Sequence, residues 1–200
     1  MKKGFTVWLT GLPSAGKSTV AQLLAREFLA RGRNVEVLDG EEVRMNLSKG
    51  LGFSKEDRDI HIERIGYVAK LLSRNGVAVI VAAISPYRET RERVRKSIDS
   101  FVEVYVKCPI EVCMRRDVKG LYARALKGEI PLFTGVSAPY EEPLSPEVIC
   151  STEQDTPRQS AAKVIAALET LGLIERDERP DYTAAEEEQV RRRLEDLGYL

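Results

Sequence analysis

Residues 5–19, FTVWLTGLPSAGKST, join an apolar run to a glycine-punctuated turn, and residues 20–30, VAQLLAREFLA, continue with helical periodicity. Gly11 and Gly16 bracket four residues, with Lys17 and Ser18 directly behind, which is the spacing of a phosphate-cradling loop between a strand and a helix. Glycines let backbone N–H groups turn inward around phosphate oxygens, and the helix N-terminus adds the positive end of its dipole. Lys17 supplies a cation, and the hydroxyl of Ser18 suits magnesium. A nucleoside triphosphate held by Gly11, Leu12, Pro13, Ser14, Ala15, Gly16, Lys17, Ser18 and Thr19 is therefore the first expectation. The reaction stays open, because such loops serve kinases, GTPases and motor ATPases alike.

Outward from this loop, apolar runs of strand length alternate with helical segments. TVWLT is followed by 18–31, VEVLD by 41–48 and 56–74, VAVIVAAI by 87–98, and FVEVYVK by 110–117. That alternation specifies an α/β fold with a mainly parallel sheet flanked by helices. EVIC at 147–150 reads as a further edge strand. SKED at 54–57 and TPRQ at 156–159 have the composition of helix starts, the second with Pro157 where a helix tolerates it. Residues 118–147 contain three glycines and four prolines and form too long a connection for a compact domain, so an active-site lid is expected there. Its approach and first half carry Arg115, Arg116, Lys119, Arg124 and Lys127, cations suited to phosphates. We divide the chain into a nucleotide-binding domain at 1–177 and a helical tail at 178–200, where Thr183 and Glu186 read as a capping box.

Length and charge narrow the class. A chain of 200 residues suits one domain burying roughly 70% of its unfolded surface. Its 31 basic and 31 acidic residues cancel, which argues against a general nucleic-acid binder and favours small anionic ligands. No apolar run approaches a membrane span, and the N-terminus enters a strand too soon for a cleavable signal, so a cytoplasmic location is expected. Cys108, Cys113 and Cys150 lack metal-ligand spacing and read as buried free thiols.

No guanine-reading Asn-Lys-x-Asp is present, and DVKG at 117–120 follows a helix instead of a strand, so a GTPase is disfavoured. The strand VAVIVAAI ends in Ser85–Pro86, without the acidic pair of a motor ATPase. The acids instead follow the second strand in LDGEEVR, where Asp39 or Glu41 would face a hydroxyl beside the γ-phosphate while Glu42 is solvated. This arrangement suggests a small-molecule kinase.

Six stretches, GLPSAGKST, LDGEEVR, LGFSKEDRD, ISPYR, RDVKGLYARA and FTG followed by PYEEP, occur in an order and spacing that resemble the adenylylsulfate kinase family over residues 4 to 172. The resemblance implies a P-loop kinase fold with a mobile lid, usually dimeric, that uses ATP and Mg2+ to phosphorylate the 3′-hydroxyl of adenosine 5′-phosphosulfate (APS), giving 3′-phosphoadenylylsulfate (PAPS). It implies ATP on residues 11–19, catalytic roles for Lys17, Asp39, Glu41 and Ser85, and Mg2+ on Ser18 and Asp39. APS would meet Asp39, Arg44, Phe53, Arg58, His61, Ile84, Ser85, Lys119, Leu121 and Phe133, with Phe53 and Phe133 sandwiching the adenine. A sulfate adenylyltransferase is a further implied partner.

Two of these positions carry competing readings. The family links the serine at Ser85 to a phosphoenzyme, yet serine followed by proline and a helical segment reads as an N-cap with proline at N1, and the cap is expected. His61 stands where the family has asparagine. It is either solvated or, three residues from Arg58 on one helical face, an acceptor ligand whose protonation near pH 6.5 would change APS affinity. Glu41 replaces an aspartate, and Ser137 and Ala138 replace an acidic pair. Another P-loop kinase, or a weakly active nucleotide-binding partner domain, remains as an alternative.

Overall fold

In the computed structural model, which describes residues 2–176, five parallel strands form one sheet in the order β2-β3-β1-β4-β5. The strands are β1 (Phe5–Thr10), β2 (Val35–Asp39), β3 (Ala78–Ala82), β4 (Phe101–Lys107) and β5 (Val148–Ser151). The helices are α1 (Lys17–Ala30), α2 (Gly40–Asn46), α3 (Lys55–Arg74), α4 (Arg88–Ser97), α5 (Ile110–Arg115), α6 (Leu121–Leu126) and α7 (Pro157–Thr170). The expected tail helix with Thr183 and Glu186 lies outside the described residues. EVIC does form the expected edge strand, with Val104 of β4 opposite Val148 of β5.

Strand alternation sorts the core into two layers. Phe5, Val7 and Leu9 point to the face covered by α1 and α7, where Leu24, Phe28, Val164 and Leu168 pack. Trp8 points to the other face, with Ile62 and Ile65 of α3 and Val94 of α4. Both faces are covered, so β3 is apolar throughout and β1 departs from this only at its two buried threonines, the pattern of a buried parallel strand. Gly66 lets α3 and α4 approach, since a Cβ there would lie 2.7 Å from Val94. Parallel pairing brings the C-terminal ends of all five strands to one edge. β1 lies between β3 and β4, so the connections diverge beside it and open a crevice, the usual ligand position in such sheets.

The structure corrects one local expectation. Ser85 does not cap α4: the N-cap is Tyr87, without a side-chain cap bond. Ser85 instead occupies the left-handed region at φ 42°, is 2% exposed, and accepts a hydrogen bond from the Trp8 indole. Residues 118–147 are not irregular throughout. They contain α6, whose first turn is capped from outside by the Asp117 carboxylate, which accepts from the N–H groups of Leu121 and Ala123. Among the described residues, no helix is long and apolar enough to cross a membrane. All three cysteines are buried and free, as expected.

Candidate active site

The turn after β1 is shaped by close approach and by braces from outside. A Cβ at Gly11 would lie 2.4 Å from the Val106 carbonyl oxygen, so only glycine lets the loop pass β4. Gly16 is the N-cap of α1 in left-handed conformation and offers no side chain to the first turn, leaving that turn's N–H groups for an anion. The Tyr122 hydroxyl donates to the Pro13 carbonyl, and the Thr152 hydroxyl donates to the Ala15 carbonyl. With its carbonyls held from behind, the loop keeps its N–H groups toward the crevice. Lys17 is buried and donates to the carbonyls of Gly11 and Leu12. Burial lowers its pKa to about 8, against the opposing influence of Cys113 and Asp39.

Asp39 ends β2 and caps α2, accepting from the Glu41 N–H through Oδ1. Its Oδ2 accepts from the Ser18 hydroxyl at 2.9 Å, so the first residue after the phosphate loop's lysine and the carboxylate of the neighbouring crossover meet. Two hard oxygen donors side by side at a phosphate site suit Mg2+, which characteristically takes one or two protein ligands and completes its shell with phosphate and water. Glu41 is turned away from that contact and pairs with Lys119 of the 118–147 segment.

Arg58 of α3 gathers the segments that carry the aromatic candidates. Its Nε donates to the Phe53 carbonyl, Nη1 to the Thr134 hydroxyl at 2.9 Å, and Nη2 to the Leu132 carbonyl. Phe53 is 51% exposed and lies under the guanidinium groups of Arg44 and Arg58, 4.9 and 5.5 Å from its ring centre. Phe133 is buried edge-on against Tyr122. Three of the five N–H groups of Arg58 are thus used within the protein, so it frames this region and has two left for a ligand. A cavity of about 530 Å³ opens between Leu12 and residues 135–140 with Glu142. A larger one, about 640 Å³, is lined by Lys2, Lys3, Arg31, Arg33 and residues 172–176 at the opposite edge of the sheet, away from the loop.

The family model described as Adenylylsulphate kinase matches residues 3–151. The chain belongs to the adenylylsulphate kinase family. It is 58% identical over 173 residues to the adenylyl-sulfate kinase of Microcystis aeruginosa, spanning 86% of this chain and 96% of that one. A probable bifunctional SAT/APS kinase of Sorangium cellulosum is also 58% identical over 86% of this chain, which spans 30% of that longer protein. Among solved structures, the Mycobacterium tuberculosis APS kinase in complex with AMPPNP and APS is 42% identical. It superposes with a TM-score of 0.81, covering 84% of this chain and 99% of that one.

Within this family frame, His61 departs from the solvated reading. It is 5% exposed, and each ring nitrogen has a protein partner. Gly40 offers only a carbonyl, so Nε2–H donates to it at 3.0 Å and Nδ1 accepts from the Ser48 hydroxyl at 2.9 Å. Burial, reinforced by Arg44, lowers its pKa to about 4. His61 therefore ties α3 to the start of α2, where Asp39 and Glu41 sit, as a neutral residue.

Leu121 is half-buried at the first position of α6, near Lys119, which is exposed. Ser137, in place of a family acid, accepts from the Phe133 N–H. Sequence reasoning missed Thr10, Arg91, Glu103, Tyr122, Tyr140 and Thr152, which hold the loop and its surroundings. Their partners lie up to 137 residues away, so no local pattern marks them.

Proposed function

We propose that this chain transfers the γ-phosphate of ATP to the 3′-hydroxyl of APS, giving PAPS and ADP. The observation that carries the proposal is the meeting of Ser18 and Asp39 at the phosphate loop, in a member of this family. ATP would lie on residues 11–19, with Lys17 neutralising the transferring phosphoryl group. Ser18 and Asp39 would hold Mg2+, which supplies charge neutralisation at the phosphates. Phosphoryl transfer asks mostly for positioning and charge compensation, and this set is sufficient for both.

Asp39 touches Ser18 directly behind the loop's lysine whereas Glu41 reaches toward Lys119, so Asp39 would be the acid that receives the hydroxyl proton. That ion pair joins the 118–147 segment to α2 and supports its reading as a lid. Arg44, Arg58, Phe53 and Phe133 would line the APS side, with Ile84 and Ser85 at the end of β3; the phosphosulfate anion suits arginine forks. His61 would act through the position of α2 instead of touching APS.

Residues 1–177 form the kinase domain in this reading. Exposed Met45, Leu47, Ile60 and Tyr67 give apolar surface for a homodimer, and the bifunctional relative supports a sulfate adenylyltransferase as partner. Three buried free thiols support a cytoplasmic setting.

The test is incubation with Mg-ATP and APS, adenosine or adenosine 5′-phosphate, followed by nucleotide analysis. PAPS forms from APS alone, and Lys17→Ala abolishes it while far-UV dichroism stays unchanged. Phosphorylation of adenosine but not APS would transfer the chain to another acceptor class; no turnover with any acceptor would leave a binding domain.

A further inference from the structure

Beyond the residues expected to touch substrate, one buried side chain joins three parts of the acceptor side. Arg91 of α4 is 2% exposed. Its Nε donates to Glu103 Oε1 of β4 at 2.8 Å, its Nη1 to the Ser85 carbonyl at 2.6 Å, and its Nη2 to the Glu141 carbonyl at 2.7 Å. The guanidinium also lies over the Tyr140 ring, 5.9 Å from its centre. One planar fork thus reaches the sheet, the turn after β3 and the returning end of the 118–147 segment.

The turn is held at every carbonyl from Ile84 to Pro86. Ile84 accepts from the Thr10 hydroxyl at 2.8 Å, Ser85 from Arg91, and Pro86 from the Glu141 N–H at 2.8 Å. Since Thr10 spends its only hydroxyl proton on Ile84, the Tyr140 hydroxyl donates to Thr10, at 3.0 Å. Ser85 is held in the left-handed region, a conformation that persists only where the surroundings over-determine it.

Glu103 explains why a cation is needed here: its carboxylate is 3% exposed and is matched by Arg91 together with Arg95, at 3.2 Å. Charge balance alone would accept lysine. Contact with two carbonyls on different segments requires the arginine fork.

We propose that Arg91 is a positioning residue for the acceptor: it fixes the Ile84–Ser85 turn and the Tyr140–Glu141 return as one unit, so APS binding and lid placement are coupled through it. This rests on the APS assignment above. None of the three Arg91 contacts is a residue of the phosphate loop, which meets the unit only through Thr10 at its border, so the effect on ATP should be smaller than that on APS.

Arg91→Lys keeps the charge facing Glu103 but cannot span both carbonyls. Steady-state kinetics should show the KM for APS raised at least about tenfold, with the KM for ATP within about twofold, since misplacement of about 1 Å is enough for losses of that size. Trp8, the single tryptophan, donates to Ser85, so its emission maximum should shift in the same variant. A merely structural arginine would lower the melting temperature and leave both KM values where they were.

Should Arg91→Lys fail to fold, the double variant Arg91→Met with Glu103→Gln strands no charge and carries the same expectation. An unchanged KM for APS in a folded variant, or failure of both variants to fold, overturns the proposal. If the wild-type protein forms no PAPS, the reaction assignment fails instead, and the Trp8 emission shift, which needs no turnover, still decides whether Arg91 holds the turn.

Discussion

At the residue scale, His61 shows how burial converts a titratable group into a structural one. Its imidazole bridges Ser48 and Gly40, and its pKa, lowered to about 4, lies below the ordinary value of 6.5. Between these values the unfolded chain binds more protons than the folded one, so folding stability falls as the pH drops from 6.5 toward 4 and is complete above 6.5. The loss amounts to about 3 kcal/mol at most, by the free energy of a pKa shift of this size. Urea unfolding from pH 4 to 7 should show this slope in the wild type and a flatter one in His61→Asn. Over pH 5.5–8, the KM for APS should follow the same course in both proteins; divergence there would return the side chain to the acceptor site.

At the element scale, the junction between β3 and α4 replaces helix capping with a sheet contact. Serine and proline ahead of a helical segment suggested a cap, but the helix begins three residues after Ser85 and the hydroxyl serves Trp8 of β1. Ser85→Ala should therefore cost about 1–3 kcal/mol by leaving the buried indole N–H without an acceptor. The mechanism is separable from capping by a double-mutant cycle with Trp8→Phe. Denaturant melts should give a coupling of about 1 kcal/mol or more, whereas a cap would leave the two substitutions additive. At Thr156, by contrast, the sequence signature is realised in full: the side chain accepts from the Gln159 N–H and the Gln159 side chain returns to the Thr156 N–H. The two starts differ because the Thr156 cap closes within four residues, while Ser85 has a competing partner 77 residues away.

At the scale of the whole molecule, the expected lid divides into two unequal parts. At Lys119 its link to the body is the exposed ion pair with Glu41, a class worth about 0–1 kcal/mol. Before Pro139 it is also tied through Tyr122 to Pro13 and through Leu132 and Thr134 to Arg58, while exposed Glu129 pairs with Arg124 of its own segment. After Pro139 it is fastened through Glu141 and Glu142, which engage Pro86, Arg88 and Arg91, and through Glu147, which engages Arg95 and the Glu103 N–H. Brief digestion with a glutamyl endoprotease should cut within this segment at Glu129 before Glu141 or Glu142, and ATP with APS should slow that cut. Earlier cleavage at Glu141 would show that the return is not fastened. The same Glu141 contacts make the return continuous with the turn after β3.

The sequence determined the strand and helix order, the phosphate loop and the acidic end of β2, because each depends on spacing within a few residues. VEVLD and FVEVYVK coincide with β2 and β4, and the alternation of strands with helical segments leads to the parallel sheet. The six stretches also carried the family. Tertiary structure decided which polar groups are spoken for: Ser85 by Trp8, His61 by Ser48 and Gly40, Glu41 by Lys119, and the buried Glu103 by Arg91 and Arg95. A buried donor or charge must find a partner wherever the folded chain brings one, and that partner's distance along the sequence has no bearing on the energy of the contact. Local pattern therefore located the chemistry, whereas the bonds that orient it exist only once β1, β3, β4 and the 118–147 segment are packed together.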